Sequence, residues 1–240
     1  MTRLVIAMVV MTILGMSVDF KIYKRTIEGE PMIFAYNKEQ VGDVLLVILE
    51  DTKDIKRSVE RKGKVARVTA DETGKTLAWN IFEAKSLLAN LSGNGQVVLS
   101  SDDIETLNKE LGKSGFSDVL VHDAQPKFVV AEIVEMEDHP DSDHLHICKV
   151  NVGFADPVQI VCGAPNAALG LKTVAALPGA MMPNGSLIFP GALRGVQSYG
   201  MLCSARELEL PNAPEVRGII ELSSDLSAGK AFDSETMWQA

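Results

Sequence analysis

The sequence predicts an α+β protein, in which a small N-terminal α/β domain precedes a domain built mainly of strands. Short runs rich in β-branched and large apolar residues recur in both halves, separated by Gly, Pro, Asn and Asp. A capped helix pattern lies in the first half. Residues 123–126 (DAQP) are typical of a linker, so we expect the two domains to meet there.

Composition narrows the class of protein. At 240 residues the chain is long enough for two small domains with hydrophobic cores. It is 46% hydrophobic and 23% charged, as globular proteins in water usually are. The cysteines, Cys148, Cys162 and Cys203, form no CxxC pair, which argues against a disulfide scaffold and a zinc ribbon. We therefore expect a reducing compartment, the cytoplasm.

Residues 1–31 are a doubtful N-terminal extension. The apolar run at residues 4–16 is shorter than the roughly 20 residues that a membrane-spanning helix needs. It is interpreted as untranslated sequence before a true start at Met32, as a signal-peptide core, or as a buried element. Membrane association is expected only if this run is translated and exposed.

Residues 32–123 are predicted to form the α/β domain, whose role the sequence does not identify. A hairpin is expected around Gly74, and a helix is expected to begin after a Ser101 cap and to end at Gly112. The predicted strands are residues 32–37, 41–50, 64–70 and 75–82.

Residues 127–235 are predicted to form the second domain. Short strands separated by turns are typical of a sandwich or a small barrel, and the pattern alone does not choose between them. A turn is expected at residues 139–143 and a short helix at residues 204–208. The predicted strands are residues 128–136, 145–152, 158–162, 173–177 and 187–189.

Several motifs in residues 127–211 resemble a known domain. HPDSDHLHICKVNVG, VCGAPN, LRGVQSYGMLCS and ELEL are similar in order and spacing to the tRNA-binding domain of bacterial phenylalanyl-tRNA synthetase β subunits and EMAP-II-type proteins. FAYNKEQVGDVLLV and NIFEA resemble standalone YtpR-type tRNA-binding proteins. The resemblance implies a five-stranded OB-fold barrel that recognises tRNA by shape, without catalysis.

Three residues within the motif segments are predicted to contact RNA. The Asn166 amide can donate to a phosphate or accept from a 2′-hydroxyl, or it can instead stabilise its own turn. The resemblance places Ser198 and Met201 on the RNA-facing surface. For Met201, a position in the core is the alternative.

Basic side chains are scarce in the predicted barrel. Residues 127–211 contain five basic and nine acidic side chains, and the whole chain has a net charge of −9. Binding to RNA is therefore expected to be modest and sensitive to salt. A protein-interaction module with little RNA affinity stays open as the alternative function. The candidate phosphate contacts are Lys149, Lys172, Arg194 and Arg206.

No metal, cofactor or catalytic group is expected. His139, His144 and His146 do not have the spacing of a zinc site. Cys203 has no adjacent base in the sequence pattern, so no thiol nucleophile is predicted. The expected partners are tRNA, an aminoacyl-tRNA synthetase and a second copy of the chain.

Overall fold

The computed structural model describes residues 30–51 and 55–239. The apolar run at residues 4–16, on which the interpretations of the N-terminus depend, lies outside the described residues. Within them, no helix is both long enough and apolar enough to cross a lipid bilayer.

The N-terminal half is a six-stranded antiparallel sheet with helices. The strands follow the order β3-β4-β5-β2-β1-β6 across the sheet. The elements are β1 (Ile33–Asn37), α1 (Lys38–Val41), β2 (Val44–Ile48), β3 (Arg57–Lys62), β4 (Val65–Ala70), β5 (Thr76–Phe82), α2 (Ala84–Leu87), β6 (Asn94–Gln96) and α3 (Ser101–Lys113).

Helix α3 covers one face of this sheet. Its buried residues Ile104, Leu107 and Leu111 belong to the same apolar core as the sheet residues Val47 and Trp79. Ser100 caps the helix, accepting from the backbone N–H of the third helical residue, whose carboxylate accepts from the Ser100 N–H in return. The cap is therefore Ser100 and not the predicted Ser101, and the helix ends at Lys113, one residue after the predicted Gly112.

The C-terminal half is a five-stranded sheet in the order β13-β10-β7-β8-β9. A register shift between Ile133 and Glu135 marks a bulge in the long first strand, and such bulges increase the curl of a sheet. The elements are β7 (Phe128–Asp138), β8 (His146–Asn151), β9 (Val158–Cys162), β10 (Lys172–Ala176), β11 (Gly191–Leu193), β12 (Val196–Ser198), β13 (Met201–Leu202) and α4 (Ser234–Met237).

The two ends of this sheet meet and nearly close a barrel. The Tyr199 N–H donates to the Gln159 carbonyl at 2.8 Å, and the Val161 N–H donates to the Ser198 hydroxyl at 3.1 Å. The sheet therefore curls round until β9 faces the chain between β12 and β13. The predicted α+β class, with a five-stranded OB-type barrel after an N-terminal sheet and helices, is confirmed.

Two local predictions in the barrel are wrong. Residues 187–189 form no strand, because the chain bends at Gly179 (φ 93°) and only Leu187 bridges to Met181. The fifth strand is instead β13. Residues 204–208 form turns in place of the predicted helix.

The two halves contact each other through Gln96, at one edge of the N-terminal sheet. Its Nε2 donates to the Gly179 carbonyl at 2.7 Å, and its Oε1 accepts from the Met181 N–H at 2.8 Å. A single side chain thus ties strand β6 to the barrel loop that follows β10.

The C-terminal segment returns along strand β7. The Val130 N–H donates to the Lys230 carbonyl, and the Val130 carbonyl accepts from the Gly229 N–H, both at 2.8 Å. Gly153 and Gly229 touch at this crossing: a Cβ on Gly153 would lie 2.5 Å from the Gly229 Cα. Only glycine allows the two backbones to approach this closely.

Gly153→Ala is expected to lower the free energy of unfolding by more than Gly170→Ala does. Both glycines have similar positive φ values, +83° and +80°, but a Cβ at Gly170 meets nothing within 4 Å. The control therefore isolates the backbone cost of about 1–2 kcal/mol, and the clash should add about 1–3 kcal/mol to it. Urea denaturation of both variants measures the difference, and equal losses would contradict the close approach.

Candidate nucleic-acid interface

An open groove of about 580 Å³ lies on the surface of the barrel. Its walls come from parts of the chain that are distant in sequence: the end of β9 and its following turn, the β11–β12 hairpin, β13 with its following turns, and residues 217–221, which we call the return segment. The lining residues include Pro165, Leu193, Met201, Arg206, Glu207 and Arg217.

Two arginines give the groove its positive charge. Arg206 and Arg217 are exposed, and neither forms a hydrogen bond or ion pair through its side chain within the described parts of the chain. The third charged lining residue is Glu207, whose carboxylate accepts hydrogen bonds from the Ser204 N–H and hydroxyl at 2.8 and 2.6 Å. Both guanidinium groups are therefore available to an anionic ligand.

Asn166, a predicted contact residue, holds one wall of the groove in place. Its Nδ2 donates to the Ile219 carbonyl and to the Glu221 carboxylate, and its Oδ1 accepts from the Ile219 N–H, each at 2.9 Å. Gly218 lies so close that a Cβ there would be 2.8 Å from this oxygen. The amide thus fixes the return segment beside Arg217.

Ser198, another predicted contact residue, is only 4% exposed. Its hydroxyl accepts from the Val161 N–H and donates to the Gly200 carbonyl, both at 3.1 Å. The side chain therefore contributes to barrel closure. Met201, three residues later, is half-buried and presents part of its surface to the groove.

Arg194 lies at the tip of the β11–β12 hairpin. Both Arg194 (φ 45°) and Gly195 (φ 82°) adopt the left-handed conformation that a two-residue hairpin turn requires. The Arg194 Nη1 donates to the Asp141 carbonyl at 2.9 Å. Because Leu193 lines the groove, this arginine lies next to the groove wall.

His139 contacts the same hairpin through a hydrogen bond and is only 3% exposed. Its Nδ1 accepts from the Asp141 N–H at 3.0 Å, which leaves the ring proton on Nε2. Nε2 faces the Leu193 carbonyl at 3.1 Å and donates to it. No group of three or more His, Cys, Asp or Glu side chains in residues 30–51 and 55–239 is arranged to hold a metal ion.

Lys149 and Lys172 do not line the groove. The Lys149 Nζ donates to the Gln159 Oε1 at 3.1 Å, and the Lys172 Nζ pairs with the Glu132 carboxylate at 2.9 Å. Of the seven predicted contact residues, the structure brings Met201 and Arg206 into the groove, Arg194 beside it, and Asn166 and Ser198 into its walls.

The chain matches two family models. Residues 52–123 match one described as "Domain of unknown function (DUF4479)", and residues 128–231 match one described as "Putative tRNA binding domain". A Bacillus subtilis (strain 168) protein named "Putative tRNA-binding protein YtpR" is 47% identical over 197 residues, which are 82% of this chain and 97% of that protein.

The chain belongs to the YtpR family. Its barrel is also similar to part of a larger protein. The phenylalanine–tRNA ligase beta subunit of Dechloromonas aromatica (strain RCB) is 47% identical over 104 residues, and that of Rhodospirillum rubrum is 50% identical over 103 residues. These segments are 43% and 42% of this chain but only 13% and 12% of the synthetase subunits.

Arg217 is the groove residue that sequence reasoning missed. It lies beyond residue 211, where the recognised motifs end, and no local pattern links it to Arg206. One signal was available: Arg217 is the one basic residue between the acidic residues Glu215 and Glu221. Only the Asn166 hydrogen bonds, which join positions 53 residues apart, place it in the groove.

Asn166→Ala is expected to lower the free energy of unfolding by about 2–4 kcal/mol, because it leaves the buried Ile219 N–H and carbonyl without their partner. Asn90→Ala is the control, since Asn90 is exposed and makes no side-chain hydrogen bond with the described residues. Thermal and urea unfolding of both variants measure the effect. A loss no larger than that of the control would show that the amide is free for a ligand.

The three thiols are expected to resist alkylation in the native protein. Burial raises the pKa of Cys148 and of Cys203 to about 12, and it also raises the pKa of Cys162. At neutral pH the folded chain therefore carries almost no thiolate, the reactive form. Iodoacetamide labelling followed by mass spectrometry should modify them only in urea. Rapid labelling of native protein at pH 8 would contradict this burial.

Proposed function

We propose that the chain binds tRNA through the barrel groove and catalyses no reaction there. One observation carries this proposal. The segments whose sequence resembles the tRNA-binding domain, VCGAPN, LRGV and GMLCSARE, converge on a single groove. This groove also holds two arginines whose side chains have no partner among the described residues. Relatives that are 47% identical to this chain over the matched residues are named a putative tRNA-binding protein and a phenylalanine–tRNA ligase beta subunit.

The groove offers complementary chemistry to an RNA backbone. Arg206 and Arg217 present planar guanidinium groups, which bind phosphate oxygens in pairs. Leu193 and Met201 add apolar surface against which a ribose or base can pack. OB barrels bind nucleic acid in this way, on one face and its neighbouring loops. Few phosphate contacts imply recognition by shape, with modest affinity that falls as salt rises.

The proposed roles of the predicted residues follow from their contacts. Arg206 contacts phosphate, and Arg194 does so from the hairpin tip. Met201 contacts the ligand directly, whereas Asn166 and Ser198 hold the walls. Lys149 and Lys172, which lie outside the groove, stay predictions for outlying phosphate contacts.

Absence of catalysis is part of the proposal. The thiols that could act as nucleophiles are buried and protonated at neutral pH. Glu207, the acidic side chain in the groove, is held by Ser204. A cytoplasmic location is proposed because tRNA is used there. Contact with an aminoacyl-tRNA synthetase and pairing of two chains stay predictions.

Arg206→Gln/Arg217→Gln is expected to weaken tRNA binding about tenfold or more. Loss of two phosphate contacts should also reduce the slope of log K against log salt by about 1.5. Fluorescence anisotropy with total tRNA at several salt concentrations measures both quantities. Neither arginine has an intramolecular partner in the described chain, so the fold should survive the change.

Lys38→Gln/Lys230→Gln is the matched control: it also removes two positive charges, and both lysines are exposed, lie outside the groove and form no ion pair with the described residues. It should leave affinity nearly unchanged. If the control and the groove variant lose the same affinity, the loss comes from the change in net charge and not from contacts in the groove. Failure of the unaltered chain to bind tRNA at low salt would defeat the proposal and favour the protein-interaction module.

A further inference from the structure

The β3–β4 hairpin concentrates positive charge in an acidic protein. Residues 56–70 contain six basic side chains and one acidic side chain, whereas the chain as a whole has a net charge of −9. Residues 128–231, more than a hundred positions, also contain six basic side chains. The basic hairpin, as we call residues 56–70, consists of Lys56, Arg57, Glu60, Arg61, Lys62, Lys64 and Arg67 with their neighbours in β3 and β4.

The basic hairpin is an outer edge of the N-terminal sheet. Among the described residues, strand β3 pairs with β4 alone, and all six of its side chains are exposed. Gly63, with φ of 59°, makes the turn between the two strands. Among the exposed side chains is Val59, of which 64% is accessible, so no described part of the chain covers this edge.

Aromatic rings hold the positive charges in place. The Arg61 guanidinium carbon lies 3.8 Å from the centre of the Phe82 ring, and its Nε donates to the Gly63 carbonyl at 3.2 Å. The Lys62 Nζ and the Arg67 guanidinium carbon lie 4.6 and 5.2 Å from the centre of the Phe116 ring. Side chains fixed in this way lose less conformational entropy when a ligand binds.

Acidic neighbours neutralise only part of the charge. Glu60 pairs with both Lys62 and Arg67 at 2.9 Å, and these two hydrogen bonds hold the pKa of Glu60 below its usual value. From outside the hairpin, Glu83 pairs with Lys64 at 2.8 Å and Asp118 lies 3.6 Å from Arg67. Lys56 and Arg61 form no ion pair with the described residues. The hairpin therefore keeps a net positive field at neutral pH.

The position of the hairpin restricts what could bind it together with the groove. The barrel contacts the opposite edge of the sheet, at Gln96 in β6, and β3 and β6 are the two ends of the strand order. Five strand spacings separate them, which is about 24 Å across the sheet. A small anion cannot touch both places, whereas a folded RNA with phosphates along its whole length can.

We propose that the basic hairpin is a second contact surface for the phosphate backbone of the tRNA bound by the barrel. This inference rests on the proposed function and gives the N-terminal domain a role in it. Two weak sites on one rigid ligand reinforce each other, because the second contact forms at a high effective concentration. The sparse positive charge of the groove is thus supplemented from the other half of the chain.

The test compares four full-length proteins: unaltered, Lys56→Gln/Arg61→Gln, Arg206→Gln/Arg217→Gln, and the combination. Anisotropy titrations with total tRNA at three salt concentrations give affinity and salt slope. The hairpin variant should bind about tenfold more weakly, with a slope reduced by about 1.5. Lys38→Gln/Lys230→Gln removes two exposed charges that form no ion pair with the described residues, and it should change affinity less than twofold.

Two further measurements separate charge from structure. Arg61→Lys keeps the charge but replaces the planar group over Phe82, and it should retain most of the affinity. Circular dichroism and the melting temperature of each variant report folding. Loss of affinity in Arg61→Lys equal to that in the double variant would overturn a phosphate contact made by charge.

The outcomes distinguish this inference from the proposed function. If the groove variant weakens binding and the hairpin variant does not, the inference is wrong and the groove stands. If only the hairpin variant weakens binding, the barrel groove is not the tRNA site, so the proposed function is wrong and the hairpin is not a second contact beside it. If the unaltered chain binds no tRNA, both the proposed function and this inference are wrong.

Other roles of the hairpin would give different results. If the chain binds polyglutamate through the hairpin, and the hairpin variant keeps its affinity for tRNA, the partner is an acidic protein and the inference is wrong. Self-association of the hairpin variant, without self-association of the unaltered chain, would also overturn the inference. That result is expected if the charges only protect the sheet edge from pairing with another chain.

Discussion

Closure of the barrel between β9 and residues 198–199 is the constraint on which the groove depends. Strand β9 continues directly into the GAPN turn, and residues 198–199 continue directly into β13 and its following turns. The bonds from Val161 and Tyr199 therefore bring these two stretches side by side. Asn166 then adds the third wall by fixing the return segment. Each wall is positioned by hydrogen bonds between residues more than 35 positions apart, so the groove exists only in the folded barrel.

The charge pattern changes how an acidic protein can be expected to bind RNA. Average charge predicts repulsion, but most basic side chains of the barrel that lie outside the groove are engaged, as Lys172 is by Glu132. The unpaired arginines are placed where the motif segments meet. The same arrangement recurs at the basic hairpin, where Glu60 neutralises Lys62 and Arg67 while Arg61 rests on an aromatic ring. Local placement, more than net charge, decides which surfaces attract phosphate.

Sequence predicted the elements whose side chains alternate between core and solvent. Strands β4, β5, β8 and β9 were predicted within two residues, because apolar alternation and flanking turn residues determine them locally. Strand β3 was missed, since its side chains are all exposed and charged and carry no periodic signal. Residues 187–189 have the composition of a strand, yet the bend at Gly179 leaves them only one bridge. The contribution of Arg217 depends on a contact across 53 residues, which no local pattern encodes.

The motif residues of the groove illustrate why a family signature does not by itself identify contact atoms. Ser198 and Asn166 have polar side chains that suit RNA, but both use them on the backbone of their own chain. Buried polar groups are costly to leave unpaired, so such residues are as strictly required by the fold as a ligand contact would be. Loss of binding on their substitution therefore does not separate a contact from a support. Arg206 and Arg217 are different, because their side chains have no partner in the described chain and their removal leaves the walls intact. Their effect on binding consequently reports contact with the ligand, whereas the effect of Asn166 reports the shape of the groove.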